Sequence, residues 1–192
     1  MNFTFFRAAA LLLLMSSPAF ASAPCSANLA SMEQKLRRVE ANGRASHPYQ
    51  TPTVFTESEV NCYLASKDVS LPEGVKSLKL VGEPGMISGT AQVDFDRIRE
   101  GSHSSNPLLS IFSGIHEVVV VTHAHGAGGE GFVHVDSVSL DGVEVPRFVL
   151  QLFVDKYLKP KYPEIGLDSR FPLPDRGDTA TIGPHKLSFT QK

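Results

Sequence analysis

The chain has 192 residues, 42% of them hydrophobic and 20% charged, with 15 glycines, 13 prolines, 12 phenylalanines and no tryptophan. That balance excludes a disordered, collagen-like or multi-span membrane chain and leaves enough length for one domain with a real core. The formal charge is −2 and the pI about 6.4, and no Lys/Arg stripe is present, which excludes nucleic acid as a partner.

Arg7 precedes an unbroken apolar run, Ala8 to Met15, which Ser16, Ser17 and Pro18 interrupt. Ala19-Phe20-Ala21 then gives the small-x-small pattern of a signal-peptidase site, so residues 1–21 read as a signal peptide. The expectation is an exported chain, periplasmic or extracellular, folding as a single α+β domain over residues 22–192. No later segment is long and apolar enough to span a bilayer. Lipidation at Cys25 is disfavoured, because Ser22 and Pro24 stand where a lipid-attachment site wants Leu and a small residue. Export into an oxidising compartment makes a Cys25–Cys62 disulfide the economical reading, with two free thiols as the alternative.

Ser26 to Arg44 has Leu29, Met32, Leu36 and Val39 at helical steps, with Gly43 as a stop. Thr56 and Glu59 have capping-box spacing and predict a short helix through Val60, Tyr63 and Leu64. From Val75 the period becomes two. Val75 to Val81 and Met86 to Phe95 read as strands joined at Glu83-Pro84-Gly85, with Ile87, Gly89, Ala91, Val93 and Phe95 on the dry face. Asn106-Pro107 predicts a two-turn helix ending near Gly114. Ile115 to His125 and Phe132 to Leu140 predict a long hairpin through a glycine-rich turn. Pro146 opens an apolar helix to Lys159, with Phe148, Leu152 and Phe153 among its apolar positions, so most of its circumference should be covered. Tyr162 to Asp175 reads as loop, and Thr179 to Ile182 with Lys186 to Thr190 as a closing hairpin.

Gly126 to Gly131 matches G-x-G-x-x-G, but the glycines lead into the strand Phe132-Val133-His134-Val135 rather than a helix, so the dinucleotide context fails. His123 and His125 share one strand face. With the turn between Gly128 and Gly129, His123 falls opposite His134, and Asp136 lies further along the same face. Imidazoles with a carboxylate suit zinc or copper, and a one-residue slip would remove His134 from the set. Asp94 and Asp96 flank Phe95 as a second carboxylate pair, more simply read as a solvated strand end. Ser113 and the Ser102-His103 pair lack a nucleophile-elbow context, and H-E-x-x-H, Walker and C-x-x-C motifs do not occur. No catalytic residue and no cofactor is implied.

The remaining signal is apolar. Small residues (Gly89, Ala91, Ala124, Gly126) sit among large ones, an arrangement that leaves a groove as readily as a filled core. The lining expected for such a groove is Ile87, Ala91, Val93, Val118, Val120, Val133, Val135, Leu152 and Phe153.

Phe55-Thr56-Glu57-Ser58-Glu59-Val60-Asn61-Cys62-Tyr63-Leu64 resembles the F-T-E-x-E-L-N-x-x-L opening of poorly characterised bacterial envelope families. Met86 to Asp96 resembles their V-x-G-x-A-x-V-D-F-D strand. Those families are similar to tubular lipid-binding (TULIP-like) proteins. The resemblance covers roughly residues 55–190 and implies a curved antiparallel sheet on a long apolar C-terminal helix, here Phe148–Leu158; with the two N-terminal helices read from the residues above, the expected fold is α+β. It implies binding without catalysis. The expected function is an exported, non-enzymatic protein holding a lipid or other apolar ligand between sheet and helix. The alternatives are an envelope structural or assembly factor with a protein partner, and a metal-binding protein using the histidine hairpin.

Overall fold

The computed structural model describes residues 25–100 and 107–192. The expected signal peptide, Ser102, His103 and Asn106 lie outside the described residues. Helix α1 (Cys25–Gly43) packs on α2 (Glu57–Leu64), and Cys25 and Cys62 form a disulfide between them. The capping box at the start of α2 is complete: the Thr56 hydroxyl accepts from the Glu59 N–H, and the Glu59 carboxylate accepts from the Thr56 N–H.

Nine strands form one antiparallel sheet: β1 (Thr53–Thr56), β2 (Val75–Glu83), β3 (Met86–Asp94), β4 (Ile115–Ala127), β5 (Glu130–Leu140), β6 (Val143–Glu144), β7 (Asp168–Pro172), β8 (Gly177–Gly183) and β9 (Lys186–Gln191). The order is β1-β9-β8-β4-β3-β2, and β5 joins β4 to β6 and β7. Gly128 and Gly129, with φ of 63° and 93°, close the β4–β5 hairpin, and His123 faces His134 as expected. The fold is α+β.

Strand alternation turns the apolar residues to one face, where two core clusters form. One gathers Val93, Phe95, Phe112, Val118, Val149 and Phe153 under the helix that follows β6. The Phe112 and Phe153 rings lie 4.2 Å apart there. The other gathers Met32 and Val39 of α1 with Phe55 and Phe189 of the sheet.

The helix expected to be long is short. It comprises α4 (Arg147–Phe153) and a π turn (Val154–Leu158), 12 residues in all, and strands rather than a helix end the chain. Pro146 and Pro160 bracket the segment and allow no more, since proline cannot continue the i→i−4 ladder. Only one side of it is covered: Phe148 is 61% and Leu152 37% exposed. Three local expectations also change. The described turn after residue 106 is a single 3₁₀ turn, Pro107–Leu109. Asp168–Pro172, read as loop, is an edge strand held by β5, and Thr53–Thr56, to which the sequence pattern assigns no element, is an edge strand held by β9. Asp94 and Asp96 do not share a strand face, because Asp94 caps α3 (Phe95–Ile98), which contains Asp96.

Candidate functional site

Helix α1 is fastened at three points, twice to α2 and once to β9. The disulfide holds its start. In its middle, Lys35 Nζ lies 2.6 and 2.7 Å from the two oxygens of Glu59. At its end Asn42 donates to Gln191 Oε1 (2.8 Å), while Gln191 donates to the Val39 carbonyl (2.8 Å). Burial opposes ionisation of Glu59, but hydrogen bonds from Lys35, Ser31 and the Thr56 N–H outweigh it and hold the carboxyl at about 2.

Between these fastenings lies an apolar cavity of about 640 Å³, lined by α1 and by the sheet. Met32 and Leu36 form its helical wall, and Phe55, Ile87, Leu173 and Phe189 belong to the sheet side. A smaller chamber of about 100 Å³ adjoins it and shares Phe55, Val60, Ile87, Ile182 and Leu187. Gly131 is needed in the floor: a Cβ there would lie 2.6 Å from the Phe171 ring, which crosses above it from β7. The rim is polar, with Arg37, Glu40, His125 and Asp175. Apolar walls with a few rim charges suit a ligand with a long apolar body.

The nine expected lining residues divide. Ile87 and Val133 line the large cavity. Val93, Val118 and Phe153 line a separate cavity of about 300 Å³ beneath the opposite helix, where Lys161 pairs with Glu73 at 2.8 Å. Ala91, Val120 and Val135 pack against the filled core. Leu152 is partly exposed on α4. The groove therefore lies under α1 and not, as expected, mainly under Phe148–Leu158. The α1 periodicity marked an apolar stripe, but nothing in it distinguished a stripe that only fills a core from one that also lines a cavity.

On the other face of the sheet, His123 Nδ1 lies 2.7 Å from Asp136 Oδ2, and His134 Nδ1 hydrogen-bonds Asp168 Oδ1. His125 is turned to Phe132, stacking with ring centres 4.9 Å apart. Asp168, which opens β7, is the residue that sequence reading missed, because its segment is proline-punctuated. Among the described residues, no group of three or more His, Cys, Asp or Glu side chains is placed to hold a metal ion. Among the described residues, no helix is long and apolar enough to cross a membrane.

No protein-family model, no curated protein and no solved structure matches this chain.

Proposed function

We propose that the protein is an exported, non-enzymatic carrier or receptor for a lipid or another long apolar molecule, bound between α1 and the sheet. The observation that carries this reading is the 640 Å³ apolar cavity beneath a helix fastened at its ends. Burial supplies the affinity: each CH₂ removed from water contributes about 0.8 kcal/mol, so one acyl chain is held without a charged anchor. The Cys25–Cys62 disulfide suits the oxidising compartment that the N-terminal sequence predicts.

The experiment is native mass spectrometry of protein purified without detergent, followed by solvent extraction of the bound material. A reproducible adduct of phospholipid or fatty-acid mass is expected. Leu36→Glu, which places a carboxylate in the cavity wall, should reduce occupancy at least tenfold. Leu152→Glu, on the exposed side of α4, should leave it unchanged. A clean apo mass that no added lipid alters would overturn the proposal.

A further inference from the structure

The face of the sheet turned away from the groove carries a polar network that ligand binding does not use. It crosses three strands in register: His123 on β4 opposes His134 on β5, which opposes Asp168 on β7. Arg147, from the start of α4, donates to Asp168 Oδ2 (3.0 Å) and to the Val135 carbonyl (2.8 Å). Asp136 sits at an irregularity in the β4–β5 ladder. Val121 pairs with Ser137 and Thr122 with Val135, so Asp136 has no cross-strand partner. A bulge of this kind re-aims a side chain, and here the Asp136 carboxylate comes to lie between the two imidazoles. One of its oxygens meets His123 Nδ1 at 2.7 Å, and the other faces His134 Nε2 across 4.0 Å.

The tautomers follow from the partners. An ionised carboxylate only accepts, so His123 and His134 both donate from Nδ1. In that tautomer the Nε2 of His134 carries the lone pair, oriented by Asp168 in the manner of a carboxylate–histidine–metal triad. Asp136 is oriented in turn by His123. The side chains of His123 and His134 are 59% and 51% exposed, and ion pairs so exposed contribute only about 0–1 kcal/mol to stability. What the network fixes is the direction of two donor atoms.

We infer that His134 Nε2 and Asp136 Oδ1 bind a divalent transition ion, zinc or copper(II), with water completing the coordination. His123 and Asp168 act as positioning residues. Metal–nitrogen and metal–oxygen bonds of about 2.0–2.2 Å place two donors on a tetrahedral ion roughly 3.4 Å apart. The observed 4.0 Å closes to that with side-chain adjustments of about half an ångström. Mixed imidazole and carboxylate donors favour zinc or copper over calcium or magnesium. With two protein ligands the site is open and exchangeable rather than structural.

The test is titration of the full chain with zinc at pH 7.5 by calorimetry, with ring-nitrogen NMR alongside. One ion per chain is expected, with His134 and His123 ring resonances shifting and His116 unmoved. His134→Ala and Asp136→Asn should abolish measurable uptake. His123→Ala and Asp168→Asn should weaken it about 10–100-fold. His116→Ala, far from this face in the register, should bind as the parent does. No uptake at millimolar zinc, or uptake that survives His134→Ala, would overturn the inference. The NMR shifts of the unsubstituted chain decide the matter if the alanine variant does not fold.

Discussion

Lys35 Nζ on α1 lies 2.6 and 2.7 Å from the carboxylate oxygens of Glu59 on α2, and that carboxylate also completes the cap of its own helix. One buried side chain, 5% exposed, thus fixes both where α2 begins and how α1 lies over the groove. A carboxyl held at about 2 instead of 4.5 contributes about 3 kcal/mol at neutral pH. Because its folded value is depressed, that stability is present above pH 4.5 and is lost as pH falls toward 2. Glu59→Gln should lower stability by about 2–3 kcal/mol at pH 7 and flatten the acid limb of urea-midpoint against pH. An unchanged acid limb would refute the assignment.

The opposite pH dependence is expected at His116. Hydrogen bonds to Asp141 (2.6 Å) and to the Ser113 carbonyl (2.7 Å) hold its pKa above the ordinary 6.5, against a smaller desolvation effect. A raised histidine stabilises below pH 6.5, and the contribution disappears as pH climbs through the folded value. The His116 ring resonances should titrate above 6.5, and Asp141→Asn should bring the midpoint down. A midpoint unmoved by that substitution would remove Asp141 as the cause.

The Tyr157 hydroxyl is buried in the π turn after α4 and has no hydrogen-bond partner among the described residues. An unpaired buried hydroxyl costs about 1–3 kcal/mol, and removing it with the ring kept in place leaves the packing against Phe153 intact. Tyr157→Phe should therefore be neutral or raise stability by about 1 kcal/mol. A loss above that size would reveal a partner for the oxygen.

Reducing the Cys25–Cys62 bond should cost about 3–4 kcal/mol on the chain-entropy account. The loss should be local in effect. Amides of α1 should exchange faster after reduction, while those of β3, β4 and β5 stay protected. Any bound apolar ligand should be released in parallel. Uniform loss of protection across the sheet would show instead that the two cores unfold as one.

Much of this architecture could be read in the residues themselves. The capping box at Thr56 and Glu59, the glycine hairpin and the His123–His134 register depend on local chemistry, and local chemistry is what a sequence states. The edge strands at Thr53–Thr56 and Asp168–Pro172 are short and proline-flanked, and only their long-range partners make them strands. The groove's position was hidden for a related reason. Leu36 and Leu152 are both apolar residues on apolar helical faces, yet one lines a cavity and the other meets solvent. Their difference lies in what the fold brings opposite each face: Leu36 shares the cavity wall with residues of the sheet, while Leu152 is 37% exposed.

The strand order places β9 between β1 and β8, so the first strand of the sheet can pair only with the last. Gln191 likewise closes the far end of α1 through Asn42. During synthesis, the helix that covers the groove must wait, unanchored at one end, until β9 has been made. The groove is therefore assembled only once β9 is in place, and a chain clipped before Lys186 would keep the β2–β5 platform but would lose the strand that pairs β1 and the side chain that holds Asn42.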